Sequence, residues 1–357
     1  MRFKLLFSAV ISVFSVASLL FADVNLISAP IPDDPAQRDA LARQFPSGWF
    51  LRQSDHYLVI YDGHALWADT RVTLLESAHD TFFAAFRKIG INPQPLGQRL
   101  ACVLFNEHAD FQTYARNIDR FNNNWSGGYY SSRTNRVAFF NFQTSPQVQN
   151  LLLDLRKAEA DQQRWLGEST ANPGSRSQLI DAQRRLIEAR ARYELVTAFG
   201  NIRQTLHESA HQLAFNTGVQ RRDLQYPFWF SEGLATNFET IAPAAPFGPS
   251  FDNPSRRSEL LAAYRDHRLP PLTQLIALTE APAEQAPRET AYAQAWSLFH
   301  YFYNQRPSDL RRYIAAALAM PPGPRSADQF ADDFAQSFGP PSAVQSAWLQ
   351  YLRENTR

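Results

Sequence analysis

Two hydrophobic periods alternate along the first half of the chain. YLVIYD (57–62) and LACVLF (100–105) are compact apolar runs of strand length, and GGYYSSRTNRVAFFNF (127–142) reads as two more strands around a polar turn. Between the first two runs, Val72, Leu75, Ala78, Phe82, Phe83 and Phe86 recur at helical spacing within residues 65–89. Side chains three and four positions apart share a helix face, so this stretch predicts one long amphipathic helix. The region from about Trp49 to Phe142 is therefore expected to form a small sheet with helices packed on it.

Residues 147–199 keep the helical period and lose the strands. Val148, Leu151, Leu155, Ala158 and Trp165 form one stripe, broken by Gln162. Leu179, Ala182, Leu186, Ala189, Tyr193 and Val196 form a second, with GESTANPGSR as a turn between them. Two matched stripes around one turn predict an antiparallel helical hairpin with a coiled-coil-like seam. It is read as a structural arm, with shielding of a cleft or pairing of protomers as alternatives. Beyond residue 219 the pattern is mostly helical, broken by Pro-rich loops, with no tandem repeat. The expected fold class is α+β: a single domain over residues 49–357 with a helical-hairpin insertion at about 147–199 and a helical C-terminal half.

The N-terminus changes the picture of where the chain works. Arg2 and Lys4 precede an apolar run from Leu5 to Phe21, and Ala22 offers a small residue for cleavage, although Leu20 is bulkier than the usual pattern. Residues 1–22 are read as a signal peptide for export, with an uncleaved membrane anchor as the alternative. Residues 23–48, rich in Pro and Asp, follow as an exposed linker or arm. Cys102 is the single cysteine, so no intrachain disulfide can form, and its apolar neighbours mark it as a buried strand residue. The net charge of +1 becomes −1 once Arg2 and Lys4 are removed. Such a balance supplies no long-range field for nucleic acid or an anionic membrane.

The chemistry concentrates in TLHESAHQLAFNTG (205–218), which holds two of the eight histidines four residues apart with a glutamate after the first. Gly200 is expected to end the arm, Asn201 with Gln204 to cap a new helix, and Gly218 to end it. On that helix His207 and His211 project from one face and can reach a single tetrahedral zinc ion. Glu208 points beside them, where it can hold a water and take its proton. A third protein ligand is then required. A continuation with glycine at 214 and histidine at 217 would supply it in one class of zinc enzyme, but the chain has Ala214 and Thr217. YPFWFSEGLATNFE instead places Glu232 twenty-one positions after His211, in a helix expected to start near Ser231. A carboxylate at a helix N-terminus, favoured by the macrodipole, is the plainer alternative for Glu232, and the ligand reading is preferred because the residue is placed to join the two histidines.

HESAH followed by FWFSEGLAT resembles the gluzincin metallopeptidases, in which HExxH precedes a W-x-x-E-G-x-A-like helix. Trp229, Glu232, Gly233 and Ala235 match that second signature in order. The likeness runs over about residues 55–305, interrupted by the arm, and is nearest to peptidase-MA-like domains of exported bacterial proteins, many of them domains of unknown function. It implies a gluzincin-like zincin fold, zinc on His207, His211 and Glu232, Glu208 as general base, and a peptide or protein substrate. It also implies a Tyr or His donor from a later helix, for which Tyr292, at the start of the helical run AYAQAWSLFHYFYNQ where a helix end opens onto the cleft, is the first candidate and His300 the second. An ordinary core tyrosine is the other reading of Tyr292. Two departures matter. No G-x-M-E-N segment is present, and Thr236 stands four residues after Glu232, where related enzymes carry an Asp that orients a zinc histidine. The strand around Arg136–Phe140 is the candidate for pairing with extended substrate, with a plain sheet edge as its alternative.

Overall fold

The computed structural model describes residues 29–122 and 127–354. The expected signal peptide, residues 1–22, lies outside them. Elements follow in the order α1 (Pro35–Ala42), β1 (Phe50–Gln53), β2 (Tyr57–Tyr61), α2 (Ala65–Lys88), β3 (Leu100–Phe105), α3 (His108–Tyr114), β4 (Gly128–Ser131) and β5 (Arg136–Phe140). The arm is α4 (Pro146–Ala171) and α5 (Arg176–Asn216). The rest is helical: α6 (Phe228–Thr236), α7 (Pro254–Arg265), α8 (Leu272–Ala277), α9 (Gln285–Gln305), α10 (Pro307–Leu318), α11 (Ala327–Phe338) and α12 (Pro341–Glu354). The fold class is α+β, with a small mixed sheet at the N-terminal end and a helical C-terminal half.

The sheet order is β1-β2-β3-β5-β4, with the three inner strands parallel and each outer strand antiparallel to its neighbour. Tyr57, Val59, Cys102, Leu104, Val137 and Phe139 face the main core beneath α2 and α5. Leu58, Ile60, Val103, Phe105, Ala138 and Phe140 face a second, smaller core with Leu41 of α1 and Phe111 of α3. Both faces are covered, so the strands read as unbroken apolar runs rather than alternating ones. Cys102 is fully buried in the middle strand, and burial pushes its thiol far above the usual range.

Four sequence expectations are corrected here. First, Gly200 does not end the arm: α5 is one continuous helix of 41 residues, about 60 Å long, from the arm's turn through both histidines. A Cβ at position 200 would sit 2.5 Å from the Phe142 ring, so the glycine admits that ring rather than stopping the helix. Asn201 and Thr205 instead accept hydrogen bonds from the buried Arg71 of α2, and Gln204 turns to the site described below. Gly218, with φ +77°, follows the helix end as expected.

Second, Arg136–Phe140 is an interior strand, paired with β3 on one side and β4 on the other, and so has no free edge. The edge near the histidines is β4, and it too is engaged: Gly128 O accepts from Gln204 and Tyr130 N donates to Glu208. Third, α9 starts at Gln285, so Tyr292 lies in the helix body rather than at its first turn. Fourth, the described part of the expected linker is structured. Asp34 caps α1, and the Arg99 guanidinium holds the carbonyls of Ile31 and Pro32.

Candidate metal and catalytic site

α5 and α6 meet at the mouth of the main core, and the contact depends on a missing side chain. Gly233 of α6 lies against α9 so closely that a Cβ there would be 2.6 Å from Ala295 O. That approach seats α6 deeply, with Trp229 fully buried among Phe302, Tyr313, Phe334 and Phe338. Glu232, one residue before the glycine, is thereby carried to the histidines of α5. Thr236 bonds back to the Glu232 carbonyl of its own helix and contributes nothing to the site.

His207 Nε2 lies 3.1 Å from Glu232 Oε2, and His211 Nε2 lies 3.5 Å from Glu232 Oε1. Ligand atoms of all three residues fall within 4.8 Å of one another. Metal bonds of roughly 2.0–2.2 Å imply tetrahedral ligand–ligand edges of roughly 3.3–3.6 Å, and the two His–Glu232 separations lie within a few tenths of an ångström of that range. Two imidazoles and a carboxylate also suit zinc chemically. In the protein alone, burial opposes charge on His207, but hydrogen bonds to Glu232 and Glu239 and the nearby Glu208 outweigh it and lift the ring to about 10. Burial likewise opposes the Glu232 carboxylate, yet His211 and His207 hold it well below the usual range.

Glu208 is held apart from the cage. Its Oε2 accepts from Tyr130 N at 2.8 Å and its Oε1 from Gln204 Nε2 at 2.5 Å. Burial raises its pKa above the ordinary carboxylate value, a direction that the two histidines partly oppose. A fixed carboxylate with a raised pKa is suited to exchanging a proton with a group beside it.

The histidine partner missing at Thr236 is supplied by Glu239. Its Oε1 lies 3.0 Å from His207 Nδ1, and as an acceptor it sets the ring proton there, leaving Nε2 to face the cage. Arg256 of α7 holds Glu239 through two bonds of 2.8 Å. Sequence reasoning missed both residues. Glu239 carried a signal, two helical turns after Glu232 at the end of the same quoted run; Arg256 carried none.

Tyr292 reaches the same cleft. Its ring centre is 6.2 Å from that of His207, the Arg256 guanidinium lies over its face, and its hydroxyl has no hydrogen-bond partner among the described residues. Burial, then Glu232 and Glu208, push its hydroxyl pKa well above the ordinary value, so it stays a donor. His300 does not line this cleft; it stacks on Trp296 two turns further along α9. The cleft they line has a volume of about 960 Å³.

A second histidine–carboxylate group, His56, Glu76 and His79, offers an instructive contrast. Its imidazoles stack 3.6 Å apart at 13°, so their in-plane lone pairs run nearly parallel and cannot converge on one ion. Glu76 instead takes the His56 ring and backbone N–H at 2.7 and 2.9 Å, fastening the start of β2 to α2.

Residues 201–322 match a family described as "Protein of unknown function (DUF1570)". The matched stretch contains His207, Glu208, His211, Glu232, Glu239, Arg256 and Tyr292, while the sheet and the arm's turn lie outside it. No curated protein is significantly similar to the chain.

Proposed function

We propose that the chain is an exported zinc-dependent peptidase of the gluzincin type. The observation that carries this reading is the convergence of His207, His211 and Glu232, with Glu208 fixed beside them. Export rests on the cationic and apolar pattern of residues 1–22. No helix among the described residues is long and apolar enough to cross a membrane.

His207 Nε2, His211 Nε2 and Glu232 would hold the ion, with Glu239 fixing the first ring's tautomer. A zinc ion there would supply Lewis acidity to a water and to a peptide carbonyl. Glu208 takes the proton that the water loses and later returns it to the leaving amine, held in place by Tyr130 N and Gln204. Tyr292 donates its hydroxyl proton toward the oxygen on which negative charge develops. Arg256 keeps Glu239 ionised and Tyr292 packed.

Purified protein incubated with a diverse peptide mixture, with and without a chelator, tests the reading by mass spectrometry. New termini should appear only without the chelator, and zinc should be present at about one per chain. Glu208→Gln should keep the zinc and lose at least ~10²-fold in rate, and Glu232→Ala should lose the zinc. Peptides left intact by zinc-loaded protein would replace the enzyme with a binding domain of the same fold.

A further inference from the structure

Arg203 stands one helical turn before His207 on α5, in the row Arg203, His207, His211, and its side chain lines the same cleft. Its nearest charged neighbour is Glu239, with Nε 3.7 Å from Oε2, beyond hydrogen-bonding distance. Glu239 is already held elsewhere: Oε1 takes Arg256 Nη2 and faces His207 Nδ1, and Oε2 takes Arg256 Nε. Arg203 makes no hydrogen bond among the described residues, although its side chain is 38% exposed and more than half enclosed. The two guanidiniums therefore differ in role. Arg256 is buried with each of its three nitrogens on a carboxylate, whereas Arg203 lines the cleft and meets Glu239 only as a longer ion pair.

A planar fork of N–H donors in a partly enclosed site matches a carboxylate bidentately, and more selectively than a carbonyl. Four residues of helix rise about 6 Å, and an extended peptide advances about 3.3 Å per residue. A group held by Arg203 therefore lies about two residues along a substrate from a carbonyl placed at the histidines. We propose that Arg203 is a specificity residue that binds a substrate carboxylate about two residues from the bond that is cut. This rests on the peptidase reading above. The carboxylate has two sources, the C-terminus of a peptide or an Asp or Glu side chain within one.

The test uses zinc-loaded Glu208→Gln protein, so that bound peptides stay intact, and three families of N-acetylated hexapeptides. One family has a free C-terminus, the second is its C-terminal amide, and the third is the amide with Asp substituted at each position in turn. Free acids, or Asp peptides at one register, should bind about tenfold tighter than plain amides. Whichever family gains identifies the source. Adding Arg203→Met should erase that gain and leave the plain amides' affinity and the zinc affinity unchanged. Equal binding of all three families overturns the role of Arg203, and cleavage of all three at equal rates by the unmutated protein would leave the peptidase reading standing. A fall in zinc affinity in Arg203→Met as large as in Glu239→Gln would also overturn it, because Arg203 would then act through Glu239. Absence of both peptide binding and cleavage would sink the two readings together.

Discussion

His207 Nδ1 and Glu239 Oε1 lie 3.0 Å apart across thirty-two residues of chain, and this contact sets which nitrogen of His207 faces the cage. Outer partners of metal-binding histidines raise their basicity and fix their orientation, and their loss typically weakens metal binding 10–100-fold. Glu239→Gln keeps an acceptor for the ring but removes the charge. Zinc affinity should fall by about 10–100-fold, read by competition with a calibrated chelator. An unchanged affinity would make Glu239 a partner of Arg256 alone.

Gly233→Ala tests whether Glu232 is placed by the close approach of α6 to α9. The new methyl would meet Ala295 O, a backbone atom, at 2.6 Å and Phe299 Cβ at 3.1 Å, neither of which can swing aside. Overpacking of this kind costs about 1–3 kcal/mol, so the melting temperature should drop by several degrees. Zinc affinity should fall with it, because α6 must shift and Glu232 moves with it. A variant equally stable and equally tight for zinc would show that the helices can separate freely.

Tyr292→Phe removes a hydroxyl that has no hydrogen-bond partner among the described residues. Stability and zinc content should hardly change, while turnover should fall by about 10²-fold, the usual effect of losing one donor to a developing oxyanion. Normal turnover would confine Tyr292 to packing beneath Arg256.

The Glu76 contact predicts acid sensitivity away from the cleft. Burial opposes its charge, but the hydrogen bonds from the His56 ring and backbone prevail and hold its pKa below the ordinary 4.5. A carboxylate depressed in the folded state contributes stability above its unfolded pKa and loses it as pH falls through the folded value. Glu76→Gln should therefore destabilise by about 1–2 kcal/mol at neutral pH. The gap to the unmutated protein should close below pH 4.5, as measured by urea titrations across pH. A gap independent of pH would assign the loss to packing.

The strands at 57–61, 100–105 and 136–140, helix α2 and the two seams of the arm were legible because burial imposes a short-range period that the residues themselves display. The convergence of part of the candidate site was legible for a similar reason. Helical spacing alone brings His207 and His211 onto one face with Glu208 beside them, the downstream spacing singled out Glu232, and Tyr292 followed from the resemblance of the flanking runs. Tertiary structure decided the rest. β1, only four residues long and mostly exposed, carries too little apolar signal to announce itself. Gly200 looks like a helix end until the Phe142 ring occupies the space that its absent side chain leaves. Arg136–Phe140 became an interior strand because β4 pairs outside it, a matter of sheet order that no local pattern encodes. Glu239, Arg256 and Arg203 meet only when α5, the end of α6 and α7 converge. Charges so far apart in the chain take their meaning from the partners that folding brings within 4 Å.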